Sequence, residues 1–120
     1  MHARATFGQW GEDEACRHLE SRDYKIICRN YRCRLGEIDI IACKNAEIVF
    51  VEVKTRKTLK FGIPAEAVTK TKQAKIHATA LHYLQDNHQY YKNFSFDVIE
   101  IVVEGDKFRL NHIPHCFNIN

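Results

Sequence analysis

The 120-residue sequence has no apolar run approaching the roughly 18 residues that cross a bilayer. Its longest strongly apolar stretch, Ile48-Val49-Phe50-Val51, stops at Glu52. The opening residues Met1 to Gly8 lack the apolar core of a signal peptide, so a cytoplasmic protein without a membrane partner is expected. Glycine (5) and proline (2) are scarce and no tract repeats, which excludes collagen-like and linker-rich chains. The five cysteines are an odd number and none is spaced C-x-x-C, which argues against a disulfide scaffold and for reduced thiols. No H-x-x-x-H pair occurs among the seven histidines, so a zinc site has no support. Cys28 and Cys33 lack a matching histidine, and thiol catalysis is not indicated.

What is present is ordinary for a globular protein: 45% hydrophobic and 28% charged residues, enough for one domain over residues 1–120 and too few residues for two cores. The net charge of +3 is modest, but its distribution is uneven. Between Lys54 and Lys75 lie Arg56, Lys57, Lys60, Lys70 and Lys72, against the single acid Glu66. A second group, Lys25, Arg29, Arg32 and Arg34, contains no acid. Such blocks suit either a phosphate backbone or a solvated face.

Hydrophobic period gives the order of elements. Phe7, Gly11, Ala15 and Leu19 recur at intervals of four, flanked by Trp10 and Cys16, which predicts a helix over 4–21. Strands are predicted over 24–32, 37–43 and 47–55, joined by Leu35-Gly36 and Lys44-Asn45-Ala46. Connections this short favour an antiparallel meander. A basic loop over 56–63 leads to Pro64, a suitable helix entry, and a helix over 65–86 with Val68, Ala74, Ala78, Leu81 and Leu84 on its apolar side. A strand over 95–104, a hairpin turn at Gly105 and a short edge strand over 107–111 follow, with Phe117 as a lid on the core. The helical crossover should make the third and fourth strands parallel, in the right-handed sense.

Strand alternation places Val49, Val51 and Val53 on one face, and Ile48, Phe50, Glu52 and Lys54 on the other. In the preceding strand Glu37, Asp39 and Ile41 share a face opposite Ile38, Ile40 and Ala42. If the apolar faces coincide, Asp39 and Glu52 lie on the same side of neighbouring strands. Two adjacent carboxylates repel unless a proton or cation sits between them. A hard divalent ion needs only one or two protein carboxylates plus a phosphate. Lys54, about 6.6 Å along the strand from Glu52, would stand beside such an ion. The same residues also suit a structural salt bridge between Lys54 and either acid.

At these positions the sequence is recognisable. Gly8-x-x-Gly11-Glu12, Arg29-Asn30, Gly36-Glu37-Ile38-Asp39, Val49-Phe50-Val51-Glu52-Val53-Lys54-x-Arg56, Ala67-Val68 with Lys72-Gln73, and Phe96-Asp97-Val98 resemble the YraN-like family of small bacterial proteins, over 7–117. That family is similar in pattern to the PD-(D/E)XK nuclease superfamily, nearest to the archaeal Holliday junction resolvases. The resemblance implies an α/β, restriction-endonuclease-like α-β-β-β-α-β core with a central mixed sheet flanked by helices. It implies Mg²⁺-dependent phosphodiester hydrolysis, with Mn²⁺ able to substitute. Metal ligands carried over are Asp39, Glu52 and the carbonyl of Val53, with Glu12 added from the first helix and Lys54 as the catalytic lysine. A homodimer acting on DNA is implied in the same way. Ser95 departs from the family pattern, which often has Arg before Phe-Asp-Val, and this weakens a phosphate role there.

Other residues carry two readings each. Glu12 stands in the run Glu12-Asp13-Glu14, which suits a solvated face as well as a metal ligand. Glu37 reads as a supporting or capping acid. Lys72 and Gln73 suit contact with substrate or a plain helix surface. Arg29, Arg34, Arg56 and Lys57 are candidate backbone contacts. Asp97 could orient a basic side chain or simply open its strand. Phe7 and Trp10 suit the core by spacing, whereas Phe61 in the basic loop is the aromatic expected to meet DNA. The expected function is a metal-dependent endonuclease acting on branched or otherwise structured DNA through Asp39, Glu52 and Lys54. The alternative is a non-catalytic nucleic-acid-binding module on the same fold, and a third, a protein acting through partner contacts, is less consistent with the basic loop.

Overall fold

The computed structural model describes residues 6–57, 69–87 and 93–116. The order is α1 (Phe7–Ser21), β1 (Lys25–Cys33), β2 (Gly36–Lys44), β3 (Glu47–Lys57), α2 (Lys70–Asp86), β4 (Asn93–Glu104) and β5 (Lys107–Ile113). The strands form one sheet in sequence order. The pairs β1–β2, β2–β3 and β4–β5 are antiparallel, and β3–β4 is parallel, as a helical crossover requires. The expected α/β core is therefore present, with β5 added at the edge.

Local chemistry explains the boundaries. Thr6 caps α1: its hydroxyl accepts from the Gln9 N–H at 3.0 Å, and the Gln9 side chain accepts from the Thr6 N–H at 2.9 Å. Asn45 and Ala46, both at positive φ, form the two-residue turn between β2 and β3. Thr69 caps α2 by accepting from the Lys72 N–H. Pro64, Val68, Phe61, the predicted loop beyond Lys57, and Phe117 lie outside the described residues.

Each face of the sheet carries one helix. Ala15, Cys16 and Leu19 of α1 pack on Ile40, Ala42, Val49, Val51, Ile99 and Ile101. Ile76, Ala80 and Tyr83 of α2 pack on Ile38, Ile41, Ile48, Phe50, Phe96 and Val98. Apolar area removed from water on both faces holds the three layers together, at roughly 25 cal/mol per Å². The valine face of β3 lies under α1, as its alternation predicts.

Four expectations are corrected. The apolar side of α2 is not the one through Ala74 and Leu81, both exposed; it runs through Ile76, Ala80 and Tyr83, which cluster with Phe50 and Phe96, and of the expected set Leu84 packs against that cluster. Strand β3 extends to Lys57, so Arg56 and Lys57 belong to the sheet and not to a loop. Phe7 is 39% exposed and lies outside the core. Ile38 and Ile40 do not share a face: Ile38 packs under α2 and Ile40 under α1. Alternation breaks between them at Asp39, opposite Asn30, which sits at φ 53° between the paired positions Arg29–Ile40 and Tyr31–Ile38. Asparagine tolerates that left-handed conformation better than most residues.

Candidate active site

The break in β2 creates the site. The β2–β3 ladder ends at the pair Ile40–Val51. Beyond it the Val53 N–H donates to the Asp39 side chain, Oδ2, at 2.8 Å instead of to a backbone carbonyl. The two strands part there, and the carboxylate fills the gap. Glu52 continues the face of Ile48 and Phe50 and is 8% exposed. Asp39 and Glu52 thus come together at the C-terminal end of β3.

Two ammonium groups answer the two acids. Lys72, from the first turn of α2, places Nζ 2.8 Å from Glu52 Oε1. Lys54 places Nζ 3.6 Å from the same oxygen. The Asp39 carboxyl is pushed from the usual 3.8 up to about 7, first by burial and then by the Glu52 charge; the Val53 N–H and Lys72 pull the other way. Burial lowers the pKa of Lys54, aided by neighbouring Lys72 and opposed by Glu52. Burial works against charge on Lys72 too, but its hydrogen bonds to Glu52 and Lys54 outweigh it and raise the pKa. The two lysines therefore differ: Lys72 is the fixed counter-ion and Lys54 the less basic amine.

Helix α1 brings Glu12 towards this end of the sheet. Gly11 permits the approach, since a Cβ there would collide with the Thr55 hydroxyl. Glu12 adds to the charge felt by Asp39. Its Oε1 is buried and accepts no hydrogen bond, and Arg29 Nη2 lies 3.6 Å away. Among the described residues no three His, Cys, Asp or Glu side chains gather as a metal cage. The donor set is nevertheless all oxygen, with two converging carboxylates and a third whose buried oxygen lacks a donor. That set suits a hard divalent ion, which keeps most of its waters, better than zinc.

The remaining candidates are dispersed. Arg29 is tied to Asp13 at 2.7 Å and braces α1 against β1. Arg34 is exposed in the β1–β2 turn, and Lys57 is exposed at the end of β3. Gln73 is half-buried beside Lys72 on α2. Glu37 is exposed and pairs with Arg32 at 3.0 Å, so it supports nothing at the site. Arg56 reaches Glu100 at 3.3 Å. Glu100 is a residue that sequence reasoning missed. It stands opposite Lys54 in the parallel register, it is buried, and burial raises its pKa against the pull of Arg56 and Arg109. A lone acid inside the apolar run from Val98 to Val103 was the available signal.

Asp97 belongs elsewhere. It is 2% exposed on the α1 side and accepts from Ser95 Oγ at 2.9 Å and from the His115 N–H at 3.1 Å, with His112 Nε2 at 2.7 Å. It does orient a basic side chain, and Ser95 serves that carboxylate rather than a phosphate. All five described cysteines are free. No helix among the described residues is long and apolar enough to cross a membrane.

The sequence profile described as "Uncharacterised protein family UPF0102" matches residues 11–101, a span holding Glu12, Asp39, Glu52, Lys54 and Lys72. The chain belongs to family UPF0102. A UPF0102 protein of Syntrophomonas wolfei is 44% identical over 110 residues, covering 92% of this chain and 96% of that one. One from Clostridium novyi is 45% identical over 112 residues, with 92% and 93% covered. One from Geobacter sulfurreducens is 44% identical over 119 residues, with 98% and 93% covered. The UPF0102 likeness thus spans both helices and the whole sheet.

Proposed function

We propose that this UPF0102 protein is a metal-dependent endonuclease of the PD-(D/E)XK type that hydrolyses phosphodiester bonds in branched or otherwise structured DNA. The observation that carries the reading is the convergence of Asp39 and Glu52 with Lys54 where β2 and β3 part. Burying two acids together is costly and gives a fold nothing that two apolar residues would not. It is useful where a cation and a phosphate must meet. Asp39, Glu52 and the Val53 carbonyl would hold Mg²⁺ or Mn²⁺, with Glu12 completing the set. The ion would supply Lewis acidity at the scissile phosphate and a more acidic water.

The chain's own residues do the rest. Asp39 is fixed by the Val53 N–H, so its carboxylate is aimed before substrate arrives. Lys54 Nζ, lowered in basicity, can hold or give up a proton beside the attacked phosphate. Lys72 neutralises Glu52 and is available to a phosphate oxygen once a divalent ion takes over that carboxylate. Arg34 and Lys57, both exposed, would meet backbone phosphates of the substrate. Cutting two strands of a branched substrate would call for a homodimer.

Linear, nicked, flapped and four-way DNA incubated with Mg²⁺ or Mn²⁺ test the reading, with Asp39→Ala as control. Cleavage of at least one substrate that disappears in Asp39→Ala and Glu52→Ala is expected. The second reading, a non-catalytic nucleic-acid-binding module, is favoured by the Lys72 ammonium already seated on Glu52. It predicts salt-sensitive binding that removal of either acid leaves intact or strengthens, with no cleavage. Sedimentation at micromolar concentration tests the dimer.

A further inference from the structure

Glu100 has no part in the acid pair, yet it is buried on the same face of the sheet. Strand alternation puts Glu52, Lys54 and Arg56 in a row on the α2 face of β3, with Val98, Glu100 and Val102 beside them on β4. Ile113 of β5 packs on the α2-side cluster, so Asn111, Arg109 and Lys107 share that face. Glu100 stands opposite Lys54 in the register, but Lys54 turns to Glu52 at 3.6 Å, and it is Arg56 Nη2 that lies 3.3 Å from Glu100 Oε2. Glu100 is 3% exposed, and its Oε2 accepts no hydrogen bond from the described residues. Burial raises its pKa, and Arg56 and Arg109 pull it back. Val102 stands between Arg56 and Arg109 in the register, so their Cα atoms lie about 10 Å apart across three strands. Both side chains reach solvent: Arg56 is 27% exposed and Arg109 lies on the exposed edge strand. Beyond them, at the hairpin, a groove of about 230 Å³ is lined by Val102, Glu104, Lys107, Phe108 and Arg109.

We infer that Arg56 and Arg109, gathered by the buried Glu100, form a seat for a backbone phosphate of the nucleic acid, next along the strand from the one met by the acid pair. Glu100 is its positioning residue. The inference rests on the nucleic-acid reading above and adds to it a second phosphate contact and the direction in which the strand runs, from Lys54 towards the β4–β5 hairpin. Burying a carboxylate costs more than an apolar residue in its place would. Its effect here is to gather two guanidinium groups over one patch of sheet, where their mutual repulsion would otherwise spread them. A guanidinium carries five N–H donors in a rigid fork, so an arginine anchored on a carboxylate can also hold a phosphate. Two guanidinium groups against one carboxylate leave a positive charge for it. Arg56 follows Lys54 on the same face by two residues, about 6.6 Å, which sets the seat beside the acid pair and not in it.

The full chain, kept in EDTA to suspend any hydrolysis, is titrated against a fluorescein-labelled duplex of about 20 base pairs over roughly 50–200 mM salt, with anisotropy as the readout. Arg109→Ala should weaken binding roughly 5- to 20-fold at the low-salt end and flatten the plot of log affinity against log salt by about 0.9. Glu100→Leu should do the same although it removes a negative charge. Glu100→Gln keeps an oxygen for Arg56 and should fall between Glu100→Leu and wild type. Leucine fills the buried volume without a charge, and a thermal melt shows that each variant is folded at the assay temperature. Arg109 is exposed on the edge strand, so its variant tests the seat even where Glu100→Leu does not fold. Tighter binding by Glu100→Leu would overturn the inference, because loss of a negative charge alone does that. So would a salt slope unchanged in Arg109→Ala and Glu100→Leu, which would leave Glu100 and Arg56 as a pair that ties β3 to β4. Failure of the wild type to bind the duplex would overturn it together with the nucleic-acid reading. Binding that responds as stated, with no Mg²⁺-dependent cleavage of any DNA, would remove the hydrolase and leave the seat standing.

Discussion

Replacing Asp39 with asparagine should stabilise the metal-free protein. Asp39 sits beside Glu52 under partial burial, and its carboxyl is raised from 3.8 to about 7. A group that binds protons more tightly folded than unfolded stabilises the fold as pH falls, here through the window from about 7 down to 3.8, and burdens it when ionised above that window. At 1.36 kcal/mol per unit the shift corresponds to about 4 kcal/mol of penalty at pH 8. Glu52 shares the proton uptake, so about 2–3 kcal/mol is the working figure. The amide introduced by Asp39→Asn keeps an oxygen for the Val53 N–H and offers Glu52 a donor in place of a charge. For a domain of this length the gain amounts to roughly 6–15 °C in melting temperature. The assay is a thermal melt in EDTA at pH 8 and pH 5, wild type against Asp39→Asn. The gain should be large at pH 8 and fall to roughly two-fifths of that at pH 5, where folded Asp39 is protonated but the unfolded carboxyl, at 3.8, is still mostly ionised. A variant that melts at or below wild type at pH 8, or gains equally at both pH values, refutes the electrostatic argument. The same variant should lose cleavage, a trade of function for stability.

Two further changes probe the neighbours of that pair. Lys72→Met removes the ammonium on Glu52 and should cost about 1–2 kcal/mol in urea unfolding without metal, the figure being reduced for its partial exposure, and added Mg²⁺ should recover part of the loss. Gly11→Ala sets a methyl against the Thr55 hydroxyl; a loss of about 1–3 kcal/mol is expected, together with slower cleavage as Glu12 moves away from Asp39.

The strand β3 could be read residue by residue from the sequence because its alternation is unbroken from Ile48 to Lys54 and its two faces differ in kind. The neighbouring strand could not. Asn30 takes a left-handed conformation opposite Asp39, and a strict period of two then assigns Ile38 to the wrong helix. The error left the acid pair intact, since Asp39 is held by the Val53 N–H rather than by strand parity. Helix α2 carries apolar residues on two sides, Ala74 and Leu81 against Ile76, Ala80 and Tyr83, and pattern alone does not choose between them; the ring of Tyr83 against Phe50 does. The pairing of Lys72 with Glu52 crosses from α2 back to β3, and that of Asp97 with His112 crosses the β4–β5 hairpin. No local signal announces such pairs. The family motif located Asp39, Glu52 and Lys54 but is silent on Glu100.

The seating of Lys72 on Glu52 also bears on how the chain assembles. A molecule with its β2–β3 hairpin closed but α2 still adrift would hold two like charges side by side with no ammonium from the second helix to quiet them. Its hairpin would be strained apart at neutral pH and eased by acid or by millimolar divalent salt. The contact that quiets Glu52 therefore also discourages half-built forms, and refolding should quicken when such salt is present from the start.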